Sequence, residues 1–178
     1  ATHPYATQIS SHIAQACHAV ATPCIQFQRS AWQKTDKDRW IMVRSLEEAA
    51  QILPDQGKRA LIASGRKDLA HFEGLEKTWL LVRTVESPND PFNLAFGEWL
   101  IARGPFAVEG EIELLQRYEI DVIVSKNSGG SATEAKILAA RELHIPIIMV
   151  ERPGAAPVEQ AEAIYEIIEK VRNTLASV

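Results

Sequence analysis

The residues best suited to chemistry stand in three short polar runs, each just after an apolar segment: Ser64-Gly65-Arg66-Lys67, Arg103-Gly104-Pro105-Phe106 and Lys126-Asn127-Ser128-Gly129-Gly130. Each run combines a cation with glycine. The cation attracts negative charge, and glycine, having no Cβ, lets backbone N–H groups come close to a ligand. In a parallel α/β sheet such runs fall at the carboxyl ends of strands, where the succeeding helices add the positive ends of their dipoles. The chemistry this points to is anion binding: a nucleotide diphosphate, a polycarboxylate, or both. The plainer alternative is that every parallel sheet has loops there, which Arg and Lys merely solvate. On the binding reading the candidates are Ser64, Gly65, Arg66, Arg103, Gly104, Lys126, Asn127, Ser128, Gly129, Gly130 and Thr133, where the next helix begins. Lys126 is expected to act as a mobile positive charge, and Gly129-Gly130 to keep the space over the backbone open to ligand.

Groups able to move protons or attack carbon are scarce. Near the amino end, Thr2-His3-Pro4-Tyr5 adds Thr2, His3 and Tyr5 to the binding candidates, with His3 and Tyr5 as the catalytic candidates. His3 can donate a proton or bind a carboxylate; it can equally cap the helix that starts near Thr7. His12, His18, His71 and His144 have no ligand spacing and are expected on helix or loop surfaces. Glu134 stands at a helix start, where dipole compensation explains it better than acid–base catalysis. No Ser/His/Asp set, Cys/His set or carboxylate pair stands out, so a covalent or hydrolytic mechanism has no support. Hydride transfer needs only two ligands held face to face and is compatible with that scarcity. Neither GxGxxG nor GxxxxGK[ST] occurs, and no metal site is expected.

The bulk properties narrow the class. The chain has 178 residues, 46% of them hydrophobic and 24% charged, enough for one large domain or two small ones. A formal charge of −4 and a pI near 5.8 argue against nucleic acid or anionic membrane as partner. No apolar run approaches the roughly 20 residues a membrane-spanning helix needs. Cys17 and Cys24 lack metal-type spacing and read as two reduced thiols of a cytosolic protein.

Four apolar segments, 59–63, 79–84, 98–102 and 122–124, alternate with helical patterns at 46–53, 68–72, 108–118 and the segment after Thr133, and a further strand spans 146–150. That alternation predicts a parallel, doubly wound sheet. Sliding the chain by 123 positions places Pro23 on Pro146, Ile25 on Ile148 and Arg29 on Arg152, with Thr2-His3-Pro4-Tyr5 falling on Ser125-Lys126-Asn127-Ser128. The repeat predicts two lobes of similar topology, divided as 1–45 and 46–178. On this reading 38–43 is a strand closing the first lobe, and Pro54-Asp55-Gln56-Gly57 is a turn. The segment 159–174 is a closing helix with Ile164, Ile167, Ile168 and Val171 inward. Trp32, Trp40, Trp79 and Trp99 are expected in the core or at a lobe interface.

Taken together, Ala1-Thr2-His3-Pro4-Tyr5-Ala6, Ser64-Gly65-Arg66, Arg103-Gly104-Pro105-Phe106, Lys126-Asn127-Ser128-Gly129-Gly130 and Glu151-Arg152-Pro153 resemble the precorrin-6A reductase family of cobalamin biosynthesis, in order and spacing over essentially the whole chain. The resemblance implies NADPH-dependent reduction of one ring double bond of an anionic tetrapyrrole, precorrin-6A, to its dihydro form. It implies an α/β fold of two Rossmann-like lobes with parallel sheets, the first lacking its N-terminal part, because the family's opening glycine-rich β–α unit would precede Ala1. The protein is expected to be a cytoplasmic monomer, and the Lys126–Gly130 run resembles the type acting on cobalt-free substrate. Protonation after hydride delivery is then expected from solvent or from a substrate group. Two other readings stay open: a non-catalytic Rossmann-like module holding a nucleotide or polyanion, and a nucleotide-sugar transferase.

Overall fold

The structure is a computed structural model and describes residues 3–86, 94–154 and 156–176, apart from the Lys67 side chain. Thr2 and residues 87–91, whose Ser-Pro-Asn-Asp-Pro run predicts a loop, lie outside the described residues. The chain divides into two compact units, one of residues 1–31, 128–130 and 152–178, the other of residues 32–127 and 131–151.

The second unit is a six-stranded sheet. Its strands are β2 (Trp40–Val43), β3 (Arg59–Ala63), β4 (Trp79–Thr84), β5 (Gly97–Ile101), β6 (Val122–Lys126) and β7 (Ile147–Val150), with helices α2 (Leu46–Gln56), α3 (Val108–Arg117) and α4 (Ala135–Glu142). The order across the sheet is β2-β7-β6-β3-β4-β5 and every pairing is parallel, as the alternating pattern predicts. Strands buried on both faces read as unbroken apolar runs, and here Leu80, Leu81, Val82, Val122, Ile123 and Val124 are all buried. One face carries Leu61, Leu81, Ile123 and Met149 against Leu115, Ile137, Ala139 and Ala140 of α3 and α4. Ser45 starts α2 with a capping interaction, its hydroxyl accepting from Glu48 N–H at 3.1 Å.

The first unit contains α1 (Thr7–Ala19), β1 (Ile25–Phe27), β8 (Glu159–Ala161) and α5 (Ile164–Ala176). β1 and β8 form a two-stranded parallel sheet, Ile25 opposite Glu159 and Phe27 opposite Ala161. The 123-residue repeat is visible as helix followed by strand in both units, with β1 and β7 as its strands.

Four expectations need correction. Trp40–Val43 does not close the first lobe: it pairs with β7 along the whole strand, from Trp40 opposite Ile147 to Val43 opposite Val150, because that edge of the large sheet is open to it. The compact division accordingly falls after residue 31 rather than 45, and 152–178 belongs with the first unit. The segment 159–174 is not one helix. Its first three residues pair with β1, and α5 begins at Ile164, where no residue of the helix is buried and Ile164 is 69% and Ile168 46% exposed. Finally, α2 runs through Pro54 to Gln56, where a missing N–H costs a single ladder bond and Gly57 N–H still reaches Leu53 O at 3.2 Å. Trp32, Trp40 and Trp79 lie in the core as expected.

Candidate functional site

The chain reverses its direction of travel across the large sheet between β3 and β6. From β3 it moves outward through β4 and β5; after α3 it returns to the other side of β3 and continues through β6 to β7. Loops leaving the carboxyl ends of strands at such a switch point diverge and leave a crevice, which is where open α/β sheets bind ligands. Ala63 lies opposite Ser125 in the β3–β6 ladder, so Ser64-Gly65 and Lys126-Asn127 leave the sheet side by side. Gly65 takes φ 98°, a region that favours glycine, and opens a 3-10 turn over Arg66–Phe72. The Ser64 hydroxyl is buried with no hydrogen-bond partner among the described residues, and Arg66 is exposed.

Lys126 is held rather than mobile. Its Nζ donates to Asp68 Oδ2 at 2.5 Å, with side-chain exposures of 15% and 21%. An acidic residue one turn past Gly65 fixes the ammonium between the two diverging loops. Asn127 is also engaged: its Oδ1 accepts from Trp32 N–H at 2.8 Å and its Nδ2 donates to Trp32 O at 3.1 Å. The amide that looked available to a ligand thus pairs both backbone groups of Trp32.

The two other expected loops of this unit lie against each other. Phe106 N–H donates to Ala132 O at 3.4 Å, and a Cβ on Gly104 would stand 3.0 Å from the same oxygen. Gly104 therefore allows a close approach of the β5 loop to the Ser131–Thr133 turn that precedes α4. Arg103 is highly exposed, 3.9 Å from Glu86, a separation that contributes little in water. Thr133 gives its carbonyl to Lys136 Nζ at 2.7 Å.

Beneath these loops is a buried ionic cluster that the sequence did not announce. Trp79, Leu81 and Arg83 share one parity on β4, so Arg83 extends an apolar row that faces α3 and α4. There it pairs with Glu111 of α3 at 2.5 Å, the two side chains 7% and 3% exposed, while Glu111 Oε2 has no hydrogen-bond partner among the described residues. Lys136 of α4 is 4% exposed, with its Nζ 4.6 Å from the Trp32 ring centroid. Burial and the neighbouring Arg83 charge lower its ammonium from 10.5 to about 7, against an upward pull from Glu111. The available signals were an Arg closing the apolar run Trp79–Thr84 and a Lys in the most buried stretch of α4.

In the first unit, Ser128 is buried, and Gly129 and Gly130 take φ 65° and 81°. The space over them is filled by protein. A Cβ on Gly129 would overlap the Ser30 carbonyl oxygen, and one on Gly130 would lie 2.9 Å from Arg29 Cδ. These glycines thus admit the 29–30 segment, correcting the expectation that they hold open a path for ligand. Arg29 and Arg152, equivalent in the repeat, meet here: Arg152 Nη1 donates to Arg29 O at 2.6 Å. Burial lowers the Arg152 guanidinium below its ordinary value, opposed by Tyr5 and reinforced by Arg29. His3 and Tyr5 have ring centroids 5.6 Å apart, and Tyr5 N–H donates to His3 Nδ1 at 3.3 Å. His3 therefore caps its own turn, and α1 starts at Thr7 behind Ala6 with no side-chain cap. A cavity of about 200 Å³ in this unit is lined by Pro4, Thr7, Ser10, Gln26, Gln28 and Pro157.

Among the described residues no helix is long and apolar enough to cross a membrane, and no group of three or more His, Cys, Asp or Glu side chains is placed to hold a metal ion. His12, His18, His71 and His144 are on the surface.

Residues 1–172 match the family model described as Precorrin-6x reductase CbiJ/CobK. The chain is 41% identical over 176 residues to a precorrin-6A reductase of Sinorhizobium sp, covering 99% of this chain and 67% of that protein. With the precorrin-6A reductase of Rhodococcus erythropolis it shares 40% identity over 157 residues, 88% of this chain and 63% of the relative. A solved structure of the CobK precorrin-6A reductase superposes with a TM-score of 0.92 at 34% identity, over 97% of this chain and 71% of that one. The chain thus spans about two thirds of the length of the curated relatives it matches.

Proposed function

The chain belongs to the precorrin-6x reductase family, and on that premise we propose that it reduces one ring double bond of cobalt-free precorrin-6A with NADPH, as a cytoplasmic monomer in cobalamin biosynthesis. The observation that carries the site is that Ser64-Gly65 and Lys126 leave the carboxyl edge of one parallel sheet side by side at the switch point between β3 and β6, with the Arg103-Gly104 loop after β5 lying against the 131–133 turn. The residues there suit a dinucleotide: a buried Ser64 hydroxyl with no partner among the described residues, and Gly65 with the bare backbone a diphosphate can approach. NADPH, when bound, supplies the hydride. The chain's own part is to bind and orient. Arg66 and Arg103, both exposed, are suited to the carboxylates of a tetrapyrrole. The Lys126–Asp68 pair fixes the mouth of the crevice between the diverging loops.

Among the described residues no group at this edge is placed as an evident proton donor, and on this reading the proton taken up after hydride transfer comes from solvent or a substrate group. His3→Ala and Tyr5→Phe test that step: either variant abolishing turnover while still binding both ligands would contradict it.

The reaction itself is tested by absorbance at 340 nm with the protein carrying this chain, NADPH and cobalt-free precorrin-6A. The proposal requires loss of absorbance only when all three are mixed. Binding of NADPH without oxidation would instead indicate a non-catalytic module, and release of a nucleoside diphosphate from a nucleotide sugar would indicate a transferase.

A further inference from the structure

Lys136 stands where its charge is hardest to keep. It is 4% exposed, it lies in the first turn of α4, where the helix dipole repels a cation, and the Arg83 charge lies near enough to oppose it. A methionine of similar volume would avoid all three costs. What the lysine does hold is specific. Its Nζ bonds Thr133 O at 2.7 Å, closing the 131–133 turn. That turn takes Phe106 N–H on Ala132 O, and the Phe106 ring lies 4.3 Å from Arg83 Cζ. Arg83 in turn pairs with Glu111 on α3, the helix packed beside α4. The contacts form a closed ring through α4, the 131–133 turn, the 104–106 loop, β4 and α3. Arg103, Gly104 and Thr133 hang from it.

We propose that Lys136 is a positioning residue, which through Thr133 and the Arg83–Glu111 pair locks the 131–133 turn and the 104–106 loop in the geometry that grips the anionic tetrapyrrole. The proposal rests on the reductase reading. The charged groups facing Lys136 are Arg83 from β4 and Glu111 from α3; Trp32 and the 131–133 turn present no titrating side chain to it. Because the ammonium titrates near neutral pH, the hold on the ligand weakens as pH rises through that region: a charged donor becomes a neutral one, and a positive charge beneath the anion is lost.

The test uses Lys136→Met, which removes donor and charge, and Lys136→Gln, which keeps a donor without the charge. KM and kcat for precorrin-6A are measured from pH 6 to 9 in the protein carrying this chain. Lys136→Met is expected to raise KM about tenfold, as displaced binding loops do, while kcat changes much less. In the wild type KM should rise as pH passes through about 7; in Lys136→Gln that rise should vanish, with KM close to the wild-type value at high pH. A folded Lys136→Met protein with wild-type KM and wild-type pH profile overturns the proposal. Should Lys136→Met not fold, the Gln variant decides: a flat profile supports the proposal and a wild-type profile overturns it. A wild type that oxidises no NADPH overturns the reductase reading, and this inference falls with it. Turnover by wild type with both variants unchanged overturns this inference alone.

Discussion

In the second unit Leu61, Ile62, Leu81, Val122, Ile123 and Ile148 are completely buried within a six-stranded sheet. In the first, Ile9 and Ile13 of α1 and Ile164, Ile168, Val171 and Leu175 of α5 keep much of their surface exposed beside a two-stranded one. The same helix-then-strand repeat underlies both units. The candidate site residues are therefore held in two ways. On the large sheet, Ser64, Gly65 and Lys126 leave strands whose flanks are fully packed, and an ion pair or a buried cluster fixes the loops beyond them. In the first unit Gly129 is fixed by close approach of the Ser30 carbonyl and Gly130 by the Arg29 side chain, and among the described residues only Ala14 and Ala161 are buried apolar residues there.

The sharpest way to break this contrast is to truncate one apolar residue in each unit. Ile123→Ala removes a completely buried side chain and should cost about 3–4 kcal/mol of unfolding free energy in urea. Ile168→Ala, at a half-exposed position, should cost no more than about 0.5 kcal/mol. Equal losses would abolish the distinction. Gly129→Ala must both adopt φ 65° and displace the Ser30 carbonyl. It should cost about 2–3 kcal/mol, read as faster amide exchange at 28–30 and 152–162 with the six-stranded sheet unaffected.

Asp38→Asn tests how the large sheet's edge is tied to α4. The Asp38 carboxylate takes both Arg141 contacts at 3.0 Å, and its Oδ2 takes Thr35 N and Oγ1 at 2.7 Å each. Burial would raise this carboxyl, but the Arg141 and Thr35 hydrogen bonds outweigh it and hold it below the ordinary carboxylate range. Its contribution is therefore present at neutral pH and is lost as pH falls through that lowered value. The substitution should cost about 2 kcal/mol at pH 7 in denaturant titrations, and less in acid.

Lys136 gives an effect of opposite pH sense. An unfolded lysine keeps its proton to about pH 10.5, whereas Lys136 releases it near 7. Between those values the unfolded chain binds the extra proton, so folding stability rises with pH, by at most about 1.4 kcal/mol per unit. Denaturant titrations at pH 7, 8 and 9 should show the wild type gaining on Lys136→Met by that slope; parallel curves would place the lysine in water.

The large sheet was legible because parallel strands buried on both faces must be continuous apolar runs, and Arg59–Ala63, Trp79–Thr84 and Ile147–Val150 are such runs. The pairing of Trp40–Val43 with β7 is not legible, because sequence order carries no information about which open sheet edge a short strand will join. Glu159–Ala161, three residues with a polar start, has no strand signature; its pairing with β1 is a tertiary effect. At the candidate site the loop positions came from topology, but side-chain partners did not. The pairs Lys126–Asp68 and Asn127–Trp32 span 58 and 95 residues, and nothing local marks such distant partners. Gly129-Gly130 illustrates the same limit, since a glycine requirement looks identical whether backbone or ligand occupies the space.

On the proposed reading ligand is held at the carboxyl edge of the six-stranded sheet, around the switch point between β3 and β6. Amide hydrogen exchange with and without NADPH and precorrin-6A tests it most directly. Slowed exchange is expected at 64–72, 102–108 and 125–134, with the amino-end connection 56–59 unchanged. Protection confined to α1, β1 and α5, with those three loops exchanging as they do without ligand, would contradict it.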